Sequence, residues 1–184
     1  MVIGPDFSRE MRSGEEGEVD ALLRAAFPGP EEAKLVRDLR ASGQMVAEMV
    51  TPWQDRIAAY AAVSRMVAPE GWICLAPVAV WPEWQRGALG RNDGDSRPNP
   101  YHFGTRLVSM LVTVVRNSSV FSIGSATPTL VVLGKPSFYA RCGFSLERAE
   151  RLTSPYPIAN TLIARSGDDT PEATLVYPAA FDGV

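Results

Sequence analysis

Pro77 stands in the middle of the apolar run Trp72–Val80, and a Gln-Arg pair and two glycines follow it in WPEWQRGALG. Proline cannot donate a ladder hydrogen bond, so inside a strand it belongs at an edge or a bulge. The run is too apolar for a plain edge. A bulge near Pro77–Ala79 therefore splays this strand from its neighbour and leaves backbone N–H and C=O groups facing a gap. An extended ligand that carries amides can pair with such groups as an added strand would. The glycine-bearing loop then leads toward a helix. Such a loop closes backbone N–H groups around a phosphate oxygen, and the helix N-terminus adds a favourable dipole. Amides along an extended arm that ends in a pyrophosphate are the form of coenzyme A.

Other reactive side chains are sparse. Cys74 and Cys142 lie far apart and match no metal-ligand spacing, so they read as two reduced, buried thiols and no metal is expected. His102 is the only histidine and precedes a helical run, where a capping role suits it. The 184 residues carry a net charge of −3, which argues against general affinity for nucleic acid or anionic membranes. The first ten residues lack a basic and an apolar region, and no stretch approaches 18 apolar residues, so neither a signal peptide nor a membrane span is expected. The cytoplasm is the default location. A nucleotide-binding P-loop is excluded because G-x-x-x-x-G-K-[ST] does not occur.

The elements that must position these groups follow from periodicity. FSREMRS is a weak first strand. GEEGEVDALLRAAF is a helix with an acidic start and one apolar face through Val19, Leu22, Leu23, Ala26 and Phe27. EEAKLVRDLRASG is a second helix, stopped near Gly43. QMVAEMV, RIAAYAAVSRMV and GWICLAPVAVW make an antiparallel meander, with TPWQD as a turn. FGTRLVSMLVTVVRN is a helix that is apolar through Leu107, Met110, Leu111 and Val114. TLVVLG reads as a buried parallel strand and PSFYARCGF as a short helix with Pro136 in its first turn. Further strands are expected near SLERAE, NTLIARS and EATLVY. The order predicts a single α/β domain over residues 1–184, with one mixed, mostly antiparallel sheet flanked by helices.

Four of these pieces, in this order, resemble the GNAT superfamily of acyl-CoA-dependent N-acyltransferases. LAPVAVWPEWQ resembles the family's bulged fourth strand, and TLVVLG its fifth, from which the fourth is splayed. PSFYARCGF resembles the short helix with an F-Y-x-x-x-G-F ending. QR…GTRL resembles the pyrophosphate loop and the helix behind it. One alignment of that loop uses Gln85, Arg86, Gly87 and Gly90. Another keeps Gln85 and Arg86 but takes Gly104 and Thr105 as its end, because GTRLV looks like a helix start; residues 87–100 are then an insertion, with Arg91 and Arg97 available to the phosphates.

The resemblance implies an acetyltransferase that uses acetyl-CoA as co-substrate and a primary amine, small-molecule or peptide, as acceptor, in a direct ternary complex. The backbone of Val78, Ala79 and Val80 would bind the pantetheine arm. The Val80 N–H would also polarise the thioester carbonyl, and Tyr139 would protonate the departing thiolate. A general base is not evident in the fourth strand. Glu48 on an earlier strand is the candidate, with Glu83 a poorer one. Trp53, Trp81, Trp84 and Tyr101 are candidates to line an acceptor pocket, and Arg86 and Arg106 to face phosphates. A homodimer is common in the family. The competing expectation is a fold of this class that senses acyl-CoA or binds a partner without turnover.

Overall fold

The computed structural model describes residues 8–85, 102–117 and 127–183. Strands β1 (Arg9–Glu10), β2 (Met45–Trp53), β3 (Arg56–Arg65) and β4 (Trp72–Val80) run antiparallel in that order. Gln54 and Asp55, at φ 49° and 62°, turn β2 into β3; two left-handed residues match the twist of a tight hairpin. Strand β5 (Thr129–Leu133) pairs parallel to β4 and antiparallel to β7 (Thr161–Arg165), which completes a six-stranded sheet. Strands β6 (Leu152–Thr153) and β8 (Ala173–Thr174) form a separate parallel pair. The mixed, mostly antiparallel sheet is the one the sequence predicts.

Helices cover both faces. Helix α3 (Phe103–Asn117) lays Leu107, Leu111 and Val115 against Ala59, Ala61, Val63 and Leu75. Its buried stripe also takes in Phe103, Val108 and Val112, while Met110 and Val114 are only partly buried, so the apolar face is rotated from the one expected. On the opposite face, α1 (Glu16–Ala26) and α2 (Glu31–Ala41) pack Leu22, Leu23 and Val36 against Val50, Tyr60 and Ala62. The alanines of β3, buried on both faces, let helix side chains approach the sheet closely from either side. The strand expected over Ser145–Glu150 is instead a 3₁₀ turn at Glu147–Ala149, with one bridge from Ser145 to Ile163. Arg148 explains the departure: its guanidinium bonds the Arg165 and Asp169 carbonyls, which a straight strand would not allow.

Helix α4 (Pro136–Tyr139) continues into a 3₁₀ turn, Ala140–Cys142, and stops at Gly143 with φ 100°. Among the described residues no helix is long and apolar enough to cross a membrane.

Arg9 ties β1 to the start of α1 through Glu15, at 2.6 Å. That ion pair, opposed by burial and helped by the Arg12 N–H, holds the Glu15 carboxyl down at about 2. Because the folded value lies below the unfolded one, the contribution is complete above the ordinary value of 4.5 and is lost as pH falls from there toward 2. The stability of Arg9→Ala, measured by urea unfolding, is therefore expected to fall less steeply than wild type across that acid window.

Candidate active site

Strands β4 and β5 share only three register pairs, Trp72–Thr129, Ile73–Leu130 and Cys74–Val131. Beyond Cys74 they part. On the β3 side, Ala61 faces Val78 and Val63 faces Leu75, so two residues of β4, Ala76 and Pro77, oppose Ala62 alone. This is the bulge that Pro77 predicts. It resets the alternation of the strand. Met66 N–H donates to Trp72 O, which fixes the hydrogen-bonded class of the ladder. Counting through the bulge puts Ala79 in that class, against Tyr60, and turns the polar backbone groups of Val78 and Val80 away from β3. The Val80 carbonyl accordingly accepts a hydrogen bond from Gln85 Nε2 at 2.7 Å.

The parted strands open onto a cavity of about 650 Å³. Val78, Val80 and Gln85 form one side of it, and Leu133, Gly134 and Lys135 the other. His102 and the first residues of α3, Phe103, Gly104 and Thr105, close one end. Gly104 has a steric reason to be glycine: a Cβ there would lie 3.2 Å from Val80 Cγ2, so the helix tip approaches β4 closely. Lys135 and Arg141 line the cavity as well, and sequence reading missed both. Their signal was position alone, since they flank the PSFY segment.

Tyr139 borders this cavity and also a second one, of about 240 Å³, that meets the first at Phe27, Val78 and Leu133. Its ring stacks edge-on against Phe138 at 4.9 Å and Phe144 at 5.6 Å between centroids. Gly134 leaves room for it, because a Cβ there would come within 2.5 Å of the ring. Burial, with smaller contributions from Cys142 and Cys74, pushes the phenol up to about 12. Tyr139 therefore holds its proton at neutral pH. Leu133 borders both cavities and is 38% exposed, an apolar side chain left open between them.

Among the remaining predicted residues, Ala79 buries its side chain on the α1 face and lines neither cavity. Glu48 is bound elsewhere. Arg40 of α2 grips its carboxylate through Nε and Nη2, the latter at 2.6 Å, and Tyr60 Oη donates to it at 2.6 Å. Glu48 lines neither cavity. Glu83 pairs with Arg56, whose guanidinium lies 4.4 Å from the Trp81 ring centroid. Trp53 packs on Phe103, whereas Trp84 reaches the larger cavity. His102 is half-buried at the start of α3, where its carbonyl accepts the Arg106 N–H as the first bond of the helix, and Arg106 itself is exposed. Burial pushes the Cys74 thiol up to about 12 and raises Cys142 too, so neither is a ready nucleophile. No cluster that could hold a metal occurs among the described residues. Arg86, Gly87, Gly90, Arg91, Arg97, Tyr101 and the predicted insertion at 87–100 lie outside the described residues.

The chain is 30% identical over 143 residues to the N-acetyltransferase YhbS of Escherichia coli, itself uncharacterized, covering 76% of this chain and 73% of that one. It belongs to the GNAT family of N-acetyltransferases. The structure agrees: YhbS from Escherichia coli in complex with CoA superposes with a TM-score of 0.73 at 25% identity, over 98% of this chain and 93% of that one. A GNAT acetyltransferase from Brucella melitensis in complex with acetyl-CoA shares the fold at a TM-score of 0.64 and 22% identity, over 96% and 97% of the two chains. No family model matches the chain.

The Arg40–Glu48–Tyr60 cluster has a structural consequence. Glu48→Ala leaves a half-buried guanidinium and a buried phenol without their acceptor. It is expected to lower the free energy of unfolding by about 3 kcal/mol in urea titration.

Proposed function

We propose that this protein transfers an acetyl group from acetyl-CoA to a primary amine by direct attack within a ternary complex. The observation that carries the reading is the gap itself. The Val78 backbone and the Val80 N–H, turned away from β3, face a cavity lined by the tip of α3, where N–H groups and the helix dipole favour phosphate. The amides of a pantetheine arm would pair with that edge as a short added strand. The pyrophosphate would meet the α3 tip near Gly104 and Thr105, with Gln85 beside it. Lys135 and Arg141 supply further positive charge along the same cavity.

In this reading the Val80 N–H stabilises the oxyanion formed at the thioester carbon. The amine nitrogen bonds that carbon, the carbon–sulfur bond breaks, the nitrogen releases a proton to solvent, and the CoA thiolate gains one. Tyr139, between the two cavities and protonated at neutral pH, hydrogen-bonds the leaving sulfur and supplies its proton, and solvent returns one to the phenol. Protonated, buried cysteines favour this route over an acyl-enzyme.

Isothermal titration of the full chain with acetyl-CoA is expected to give saturable binding below ~1 mM. A panel of amines followed by thiol release should then show turnover. Binding without turnover on any amine would favour the acyl-CoA-sensing alternative, and absence of binding would reject the CoA reading altogether.

Tyr139→Phe should reduce kcat by about 10²-fold or more and leave acetyl-CoA affinity within about threefold. An unchanged kcat would remove Tyr139 from the mechanism.

A further inference from the structure

The two cavities that meet at the parted strands differ in charge. They share Phe27, Val78, Leu133 and Tyr139. Among the described residues the larger is lined by Lys135, Arg141, His102 and the α3 tip and by no carboxylate. Among the described residues the smaller is lined by one charged side chain, Glu32, and by no cation. An anionic ligand suits the first and a cationic one the second.

Glu32 makes no hydrogen bond or ion pair within the described residues. The basic residues of its own helix are committed to other partners: Lys34 to Asp38 at 2.5 Å, Arg37 to Asp20 at 2.8 Å and Arg40 to Glu48 at 2.6 Å. It sits in the first turn of α2, where the helix dipole favours the ionised carboxylate. The rest of the smaller cavity is apolar or aromatic. Leu35, Tyr156, Tyr177 and Phe181 form its outer wall, with Tyr156 edge-on to Tyr177 at 5.0 Å and Tyr177 against Phe181 at 5.4 Å. At about 240 Å³ the space holds a ring-sized group, and the described residues offer no second carboxylate for a second ammonium.

We infer that the smaller cavity takes the acyl acceptor, that this acceptor is a primary amine carried on a compact apolar body, and that Glu32 attracts it as the ammonium, which gives one proton to solvent before the neutral amine attacks. The inference rests on the acetyl-transfer reading above. Glu32 is a specificity-determining residue: it draws a cation into the cavity that shares Tyr139 with the basic one, while the aromatic wall receives the rest of the molecule. Polyamines would leave a second charge in an apolar pocket, and a lysine of a peptide would bring polar backbone against Tyr156 and Phe181.

The test uses the full chain, acetyl-CoA, and thiol release with 2-phenylethylamine, spermidine and a short peptide bearing one lysine. For 2-phenylethylamine, kcat/KM is expected to exceed that of the other two by about tenfold or more. Glu32→Gln should raise KM for 2-phenylethylamine by about tenfold and leave kcat and acetyl-CoA affinity within about threefold. Glu31→Gln, on the neighbouring exposed residue that lines neither cavity, should change none of these. Preference for spermidine or the peptide, or an unchanged KM in Glu32→Gln, overturns the assignment. Acetyl-CoA binding with none of the three amines accepted also overturns it and leaves the CoA reading standing. A wild-type protein that fails to bind acetyl-CoA overturns both.

Discussion

Three parallel register pairs hold β4 to β5, and after Cys74 and Val131 no more form. Everything at the candidate site depends on that early parting. A parallel pair needs every second residue to present its N–H and C=O to the shared edge. Pro77 has no donor, and the bulge with Ala76 shifts the alternation by one residue. The strand resumes its pairing with β3 at Val78 and keeps it to Val80, so it does not fray. What remains is an ordered edge, fixed by β3 on one side and open on the other. An unpaired edge is ordinarily a liability for aggregation. Here residues of α3 and α4 and Leu133 line the cavity beside it.

Two glycines shape the enclosure. Gly104 lets the tip of α3 come down on Val80, which brings helix N–H groups to the end of the open edge. Gly134 lets the Tyr139 ring lie across the end of β5, between the two cavities. A side chain at either place would separate groups that must act together. The phenol's raised pKa has the same origin as its position. The aromatic packing against Phe138 and Phe144 that fixes the ring also strips water from it, and an uncharged phenol is the form that survives.

The parts of the site that were legible in the sequence are those encoded by local chain chemistry. A proline in an apolar run can mean little else than a bulge. Helix α3 spans the predicted Phe103–Asn117, because its apolar period is strong and GTRLV marks its start. The tail was harder. Leu152–Thr153 and Ala173–Thr174 are too short to show alternation, and the segment at Glu147–Ala149 bends because Arg148 finds distant carbonyls that no local pattern announces. Lys135, Arg141 and Glu32 were likewise invisible. Each is an ordinary charged residue until the fold shows which cavity it borders and which opposite charges are already taken.

Glu48 illustrates the same limit from the other direction. Its type and its strand made it a candidate base, yet a carboxylate within reach of Arg40 and Tyr60 is drawn into that cluster, where a bidentate guanidinium and a phenol satisfy it. The cluster then acts on the site through α2. Arg40 lies in the last turn of that helix, so its grip on β2 and β3 anchors one end against the sheet, and Leu35 and Leu39 seat the middle beside Trp72 and Cys74. With the far end fixed in two ways, the first turn is held over the smaller cavity, and Glu32 is presented to it without needing a partner of its own. The half-buried ion pair thus sets the position of the carboxylate that has no partner among the described residues.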